Sequence, residues 1–339
     1  MKLSEFDYEV PRELIAQYPS GRRGDDRLLV VDRRKGSFEE RHFSDIADYF
    51  ASGDLLALND TKVIPARLFG KRKTGGKVEI FVLDRTERPA RALVRSSGRI
   101  KPGETVTLNS GYEVKVLGAA RVGRLVEFNE PVDEVLRRCG HVPLPPYISR
   151  PDEPSDRERY QTIYASADGA TASPTAGLHF TENAVRQLKE KGVEIAYVTL
   201  HVSYGTFAPI KEDTVEKHKM HSEHFHVSKE NAEAINGARG KKARIFACGT
   251  TSLRTLEARA EDFKNPISER IEGRTDLFIY PGYKFKIVDA LITNFHLPKS
   301  TLLLLTSAFA GKELLFRAYE YAIKNKFKFF SYGDAMLIM

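Results

Sequence analysis

The sequence predicts an α/β (mixed α+β) main domain with a small β-barrel domain inserted into it. Three observations lead there. Short strand-like runs recur about every 10 residues after residue 65, the spacing of a small barrel or sandwich. From residue 155 onward, helical and strand patterns alternate, as in a sheet with crossover helices. The first 64 residues carry apolar strands of the kind a buried sheet needs. A chain of 339 residues has room for about two domains at roughly 100–200 residues each. The expected division is a discontinuous α/β domain, 1–64 plus 150–339, with the barrel at 65–149.

In the first segment, Arg27 to Asp32 reads as a buried strand, Asp45 to Phe50 as a helix and Asp54 to Asp60 as a strand closing on a polar turn. In the barrel segment the strands are Val78–Leu83, Arg91–Val94, Thr105–Leu108, Tyr112–Val116 and Arg124–Phe128, with Gly75-Gly76, Lys101-Pro102-Gly103 and Asn109-Ser110-Gly111 as turns. Pro143 to Tyr147, extended by Pro151 and Pro154, reads as a hinge. Beyond it, Thr181 caps a helix to Lys191 and Val193–Val202 is a strand. Ser228 caps a helix to about Ala238, Ala243–Ala247 is a strand and Thr251–Ala260 a helix. Leu277–Tyr280 and Val288–Ile292 read as strands, and Ser300 opens an apolar helix.

Composition removes several classes. Two cysteines, Cys139 and Cys248, exclude a disulfide scaffold and suit a reducing cytosol. The longest apolar stretch, Leu302–Ala310, is roughly half of what spans a bilayer. Met1 to Asp7 carries acids where a signal peptide needs apolar residues. The expectation is a cytoplasmic protein without a membrane segment. The net charge of +7 is compatible with a polyanionic partner but does not require one.

Four constellations carry candidate chemistry. Cys248-Gly249-Thr250-Thr251-Ser252 runs from a buried strand into a helix, presenting free N–H groups and hydroxyls to an anion or polar ligand; an ordinary capped turn would look the same. His218, His221, Glu223, His224 and His226 have spacings open to a metal-dependent hydrolase or to plain hydrogen-bonding histidines. His179, after Pro174-Thr175-Ala176-Gly177-Leu178, and His201, at a strand end, are candidate acid–base groups. Asn294-Phe295-His296 leaves a strand with polar groups. A fifth feature is basic: Lys71-Arg72-Lys73, Arg22-Arg23 and Arg137-Arg138, with Tyr147, Tyr160 and Tyr164 as rings for RNA bases. A non-catalytic RNA-binding protein is the third reading these residues leave open.

The motifs resemble the S-adenosylmethionine:tRNA ribosyltransferase-isomerase family of queuosine biosynthesis along nearly the whole chain. They include Leu14 to Pro19, Asp26 to Leu29, Asn59 to Leu68, Leu144 to Ile148, Asp156 to Tyr164, Pro174 to Phe180, Gly205-Thr206-Phe207, His221-Ser222-Glu223, Gly249 to Arg254, Thr293 to Pro298 and Ser331 to Leu337. Ser173 and Ser203 stand where the family usually has alanine and glycine. The resemblance implies transfer and isomerisation of the ribosyl moiety of S-adenosylmethionine onto 7-aminomethyl-7-deazaguanine at the tRNA wobble position, giving epoxyqueuosine, adenine and methionine. It implies no cofactor, S-adenosylmethionine being consumed, and no obligate protein partner. In its light, His179, His201, Asp60 and Glu223 are the expected catalytic groups. Thr175, Gly177, Gly249, Thr250, Thr251, Ser252, Asn294 and His296 are expected to bind S-adenosylmethionine. Arg67, Lys71, Arg72, Lys73, Tyr147, Arg157 and Tyr160 are expected to bind the tRNA anticodon stem-loop.

Overall fold

Runs that are apolar at every position, such as Leu28-Leu29-Val30-Val31 and Leu55-Leu56-Ala57-Leu58, form strands buried on both faces. The structure, a computed structural model, describes residues 1–202, 210–264, 267 and 269–339. The Ser203 departure and the Gly205-Thr206-Phe207 motif lie outside the described residues.

The strands are β1 (Arg27–Asp32), β2 (Ser37–His42), β3 (Leu55–Asn59), β4 (Thr61–Val63), β5 (Arg67–Arg72), β6 (Lys77–Asp84), β7 (Ala90–Ser96), β8 (Thr105–Leu108), β9 (Glu113–Ala119), β10 (Arg124–Phe128), β11 (Ala167–Ala170), β12 (Glu194–Leu200), β13 (Glu223–Val227), β14 (Ile245–Cys248), β15 (Ile271–Thr275), β16 (Ala290–Asn294) and β17 (Ala335–Ile338). The helices are α1 (Val132–Cys139), α2 (Asp156–Arg159), α3 (Glu182–Glu190), α4 (Lys229–Gly240), α5 (Gly249–Ala258), α6 (Thr301–Ala310) and α7 (Lys312–Lys324).

Two compact units result, one of residues 1–62, 145–150 and 159–339, the other of 63–144 and 151–158. The first holds a nine-stranded sheet in the order β15-β13-β12-β3-β14-β16-β17-β1-β2. Its central strands β12, β3, β14 and β16 run parallel, and β17 turns back antiparallel to β16 with β1 parallel to it. Side chains alternate between the faces. Leu55, Ala57, Ile245, Ala247, Leu291 and Met336 pack on one side with α4, α5, α6 and α7. Leu56, Leu58, Phe246, Cys248, Ile292 and Leu337 pack on the other with α3 and Phe43. The mixed α/β class expected from the sequence is the class of this unit.

The second unit is a closed barrel, β10-β7-β6-β5-β8-β9. Val78, Ile80 and Val82 of β6 point inward with Val106, Val114, Val116 and Val126, and Val135 and Leu136 of α1 join them. The expected boundaries at 64/65 and 149/150 shift. Pro145–Arg150 belongs to the sheet unit, where the Tyr147 ring meets Phe330 at 4.8 Å. Pro151–Glu158 belongs to the barrel unit, where Asp152 pairs with His141 at 2.8 Å.

The sequence reading did not include β2, β4, β5, β11, β13, β15 and β17 or the helices α1, α2 and α7. β5 was not expected, because Arg67, Lys71 and Arg72 mask its alternation of inward Leu68 and Gly70. The helix expected at Asp45–Phe50 is a 3-10 helix, Phe43–Tyr49, with Phe50 extended just beyond it. Leu277–Tyr280 is irregular and the strand is β15, four polar or glycine positions after Ile271. There the Thr275 hydroxyl accepts the Leu277 N–H and Arg254 donates to the Leu277 carbonyl, so side chains replace a strand partner. Among the described residues no helix is long and apolar enough to cross a membrane.

One buried carboxylate ties α5 to the chain entering β16. Glu257, 2% exposed, accepts the backbone N–H groups of Lys286, Ile287 and Val288 and the Tyr283 hydroxyl. Burial and this carboxylate raise the Tyr283 phenol above its ordinary range. A glutamine offers one acceptor oxygen and an NH2 group that repels N–H donors. Glu257→Gln is therefore expected to lower unfolding free energy by about 2–4 kcal/mol, read from denaturant midpoints at constant m-value.

Candidate active site

The strand directions collect the functional residues on one edge of the sheet. β3, β12, β14 and β16 deliver their carboxyl ends there, as Asn59-Asp60, Leu200-His201, Cys248-Gly249 and Asn294. β1 and β13 run the other way, so their starts, Asp26-Arg27 and Glu223, reach the same edge. Ligands collect at such carboxyl ends because free backbone groups and loops converge there.

At β16, a string of polar groups crosses the edge. Thr175 Oγ1 donates to Asn294 Oδ1 at 2.8 Å. Asn294 Nδ2 lies 3.0 Å from His179 Nε2, and His179 Nδ1 lies 2.6 Å from Asp26 Oδ2. With the Asn294 amide fixed by Thr175, its NH2 donates to Nε2, which leaves the proton on Nδ1 to donate to Asp26. Burial pushes the Asp26 carboxyl up, but His179, the Ser20 hydroxyl and Arg159 outweigh it and hold it below its ordinary value. His179 ends a 3-10 helix, Thr175–His179, rather than preceding a longer one directly. Gly177 in that turn is required by space, since a Cβ there would stand 2.2 Å from the Tyr164 hydroxyl oxygen.

At β14, α5 starts directly from the strand with Gly249 at φ +84°, a left-handed conformation that favours glycine. Ser252 Oγ turns back to the Cys248 carbonyl at 2.7 Å. Thr250 and Thr251 are buried, and Thr251 Oγ1 takes no hydrogen bond among the described residues. Burial raises the neighbouring Cys248 thiol to about 12.

At β3 and β12, His201 Nδ1 lies 2.8 Å from Thr61 Oγ1, and its ring lies parallel to that of His224 at 6.3 Å. Asp60 accepts the Thr199 hydroxyl at 2.5 Å and the Ser166 hydroxyl at 2.8 Å. Both Asp60 and His201 are half-buried. Between Asn294 and His201 lie three strand spacings of about 4.8 Å, roughly 14 Å, with the α5 start in the middle.

Two expected site residues stand apart from these. Glu223 is 2% exposed and forms an ion pair with Arg254, also 2% exposed, so it holds β13 to α5 rather than facing solvent. His296 follows Thr293, whose side chain points to the face opposite Asn294; its Nε2 lies 2.8 Å from Thr293 Oγ1 and its backbone is held by Tyr319 and Tyr8. The metal reading has no geometric support. Glu223 and His224 alternate on β13, His218 packs on Phe278, and no group of three or more His, Cys, Asp or Glu among the described residues is placed to hold a metal.

The expected tRNA contacts are unequal. Lys71 and Lys73 are exposed on the barrel unit. Arg67 pairs with Glu79 and Arg72 with Glu104, while Arg157 is exposed and donates to the Gly140 carbonyl at 3.0 Å. Tyr160 is 1% exposed with its ring edge-on to Tyr332, which corrects its expected role: no base reaches that face. Tyr147 is half-buried with its hydroxyl 2.5 Å from Ser331 Oγ. Residues missed by the sequence reading are Asp26, Thr61 and Arg254, each the partner of a residue it named. All three lie inside motifs quoted above, but no spacing rule links them to partners more than 30 residues away. Ser173 is 4% exposed and its hydroxyl takes no hydrogen bond among the described residues, so the departure from alanine buries an unpaired polar atom.

Burial depresses His296 to about 3 from an ordinary 6.5. Between those values the unfolded chain binds the proton and the fold does not, so stability is full above 6.5 and falls as pH drops toward 3. The slope from this residue is expected to reach about 1.4 kcal/mol per pH unit at most, and urea midpoints of His296→Gln should lose that share of the acid sensitivity.

The profile of the family described as "Queuosine biosynthesis protein" matches residues 3–338. The chain is 51% identical over 344 residues, all of both chains, to the S-adenosylmethionine:tRNA ribosyltransferase-isomerase of Geobacter metallireducens (strain ATCC 53774 / DSM 7210 / GS-15). It also resembles the crystal structure of the S-adenosylmethionine tRNA ribosyltransferase of Thermotoga maritima, with a TM-score of 0.57, 38% identity, and coverage of 99% of this chain and 100% of that one. With a match that leaves out two residues at the start and one at the end, the chain belongs to the queuosine biosynthesis protein family.

Proposed function

We propose that this protein is a cytoplasmic S-adenosylmethionine:tRNA ribosyltransferase-isomerase. It transfers and rearranges the ribosyl group of S-adenosylmethionine onto the aminomethyl nitrogen of 7-aminomethyl-7-deazaguanine at the tRNA wobble position, releasing adenine and methionine. The observation that carries this reading is full-length membership of the family together with polar groups gathered on one sheet edge. No metal or redox cofactor enters the proposed chemistry, because the sulfonium itself acidifies the adjacent 5′ hydrogens. The site must supply an acid–base group, assist adenine departure and place a neutral amine beside the sugar.

The residues divide by access. His201 and Asp60 are half-buried and suit contact with substrate: His201 for proton transfer, Asp60 for orienting the amine or sulfonium. His179 is 2% exposed with both ring nitrogens engaged, so it acts by holding Asn294 and Thr175. The α5 start, with the hydroxyl of Thr251 buried and without a hydrogen bond among the described residues and the N-terminal N–H groups beside it, suits the methionine carboxylate or the ribose hydroxyls. Lys71 and Lys73 suit RNA phosphates.

Incubation with S-adenosylmethionine and precursor tRNA tests the reading: adenine should appear only when both are present, and unchanged turnover in chelator is expected. Adenine release without RNA, or none with it, would overturn the assignment. His201→Ala is expected to lower kcat by about 10²-fold or more with RNA affinity unchanged. Lys71→Ala with Lys73→Ala should weaken RNA binding and flatten its log–log salt slope by about 1 to 2.

A further inference from the structure

The motif Leu14-Ile15-Ala16-Gln17-Tyr18-Pro19 has no part in the site described above, yet it holds an unusual surface feature. Tyr18 is 56% exposed, more than Met1, Phe69, Val122 or Ile163, the other large apolar side chains at the surface among the described residues. An exposed ring on a loose loop would be unremarkable. This one is fixed on both sides. Before it, Phe329 donates to the Leu14 carbonyl at 2.8 Å and its carbonyl accepts the Ala16 N–H at 3.3 Å. Gln17 then locks a second segment: its Nε2 donates to the Tyr147 carbonyl at 3.0 Å, its Oε1 accepts the Ser149 N–H at 2.8 Å, and its backbone carbonyl accepts Arg150 Nε at 2.9 Å. That last bond sets the Arg150 guanidinium 4.1 Å from the centre of the Tyr18 ring.

Tyr18 also lies close in sequence to Asp26 of the candidate site. Ser20, two residues on, donates its hydroxyl to the Arg22 carbonyl at 2.7 Å, and Arg159 donates to the Ser20 carbonyl at 2.7 Å. Arg23 donates to the carbonyl of Leu178, the neighbour of His179, at 2.9 Å. Arg22 is exposed between them. A fixed aromatic with a planar cation over it, and the exposed Arg22 four residues on, has the chemistry of single-stranded nucleic acid recognition: a π-face for a base and a cation for its phosphate. Fixing the ring in advance removes part of the ordering cost of binding.

We propose that Tyr18 and Arg150 form a stacking platform for an unpaired nucleobase of the RNA substrate, on the loop that leads into the Asp26–His179 pair, with Arg22 meeting the adjoining phosphate. The proposal rests on the reading of RNA as substrate and adds the residues that hold a base. A protein docking on this ring is the competing occupant, and the test separates the two.

The experiment measures the affinity of a fluorescently labelled anticodon stem-loop by anisotropy, and KM and kcat for adenine release, in the full chain. Tyr18→Ala is expected to weaken RNA binding and raise the KM for tRNA by about tenfold to hundredfold, the loss of one base–aromatic stack. The KM for S-adenosylmethionine and the thermal midpoint should not move. Tyr18→Phe keeps the π-face and should stay within about twofold of wild type. If Tyr18→Ala does not fold, Tyr18→Leu carries the same expectation. Wild-type RNA affinity in Tyr18→Ala or Tyr18→Leu, an equal loss in Tyr18→Phe, or a change in oligomeric state alone would overturn the platform. Failure of the wild type to release adenine would instead overturn the functional reading, and the RNA affinities of the variants would still decide the platform.

Discussion

A sheet covered on both faces leaves almost no place for polar chemistry except its ends. Along β3, β14, β16 and β17 successive side chains enter one core or the other, so a polar group in mid-strand has to be paired. Asn59, the last residue of β3, is paired even at the strand end: its amide donates to the Leu200 carbonyl and accepts the N–H groups of Leu200 and Thr61. The same constraint concentrates function. Parallel β3, β12, β14 and β16 must end on one edge, and the reversed β1 and β13 must begin there. Six strands thus present acids, histidines, amides and hydroxyls to one line without any long-range design beyond the topology.

On that line, burial separates groups that sequence treats alike. Asp26, Asp60 and Glu223 are all acids at strand ends. Glu223 is matched by the equally buried Arg254, an arrangement whose desolvation cost is offset only by close pairing and the extra bond from Arg254 to Leu277. Asp26 is held ionised against burial by His179, Ser20 and Arg159. Asp60 keeps contact with solvent and takes two hydroxyl donors. Asp334 completes the contrast at the start of β1. It is pushed up by burial, against the Lys328 and Arg27 N–H groups it accepts, with the Asp26 charge adding to the rise. Two neighbouring carboxylates therefore differ in proton affinity through surroundings alone.

Much of this was legible in the sequence, and the parts that were not share a cause. Apolar runs and turn residues disclosed the barrel, the alternating α/β segment and most of the strands, because two-sided burial writes itself into every position of a strand. The strand ends were legible too, since Gly249, His201 and Asn294 follow such runs. What stayed hidden was pairing. Nothing local in Asp26 points to His179, 153 residues away, and nothing in Arg254 points to Glu223. Exposure was hidden for the same reason. Tyr160 and Tyr18 are both tyrosines near arginines, yet one packs under Tyr332 and the other stands in solvent. The Leu277–Tyr280 reading failed because side-chain hydrogen bonds satisfied backbone groups that an apolar run would otherwise give to a sheet.

The buried hydroxyls at the start of α5 and before Thr175 carry the last step. A hydroxyl removed from water without a partner costs about 1–3 kcal/mol, so a fold rarely keeps one without return. Among the described residues Ser173 and Thr251 are kept in this condition, as are Thr162 and, on α6, Thr301 and Ser307. At the start of α5 the N–H groups have no intrahelical acceptors and face the strand edge. In the proposed function, the anionic group and hydroxyls of S-adenosylmethionine are complementary to the helix start and the threonine together.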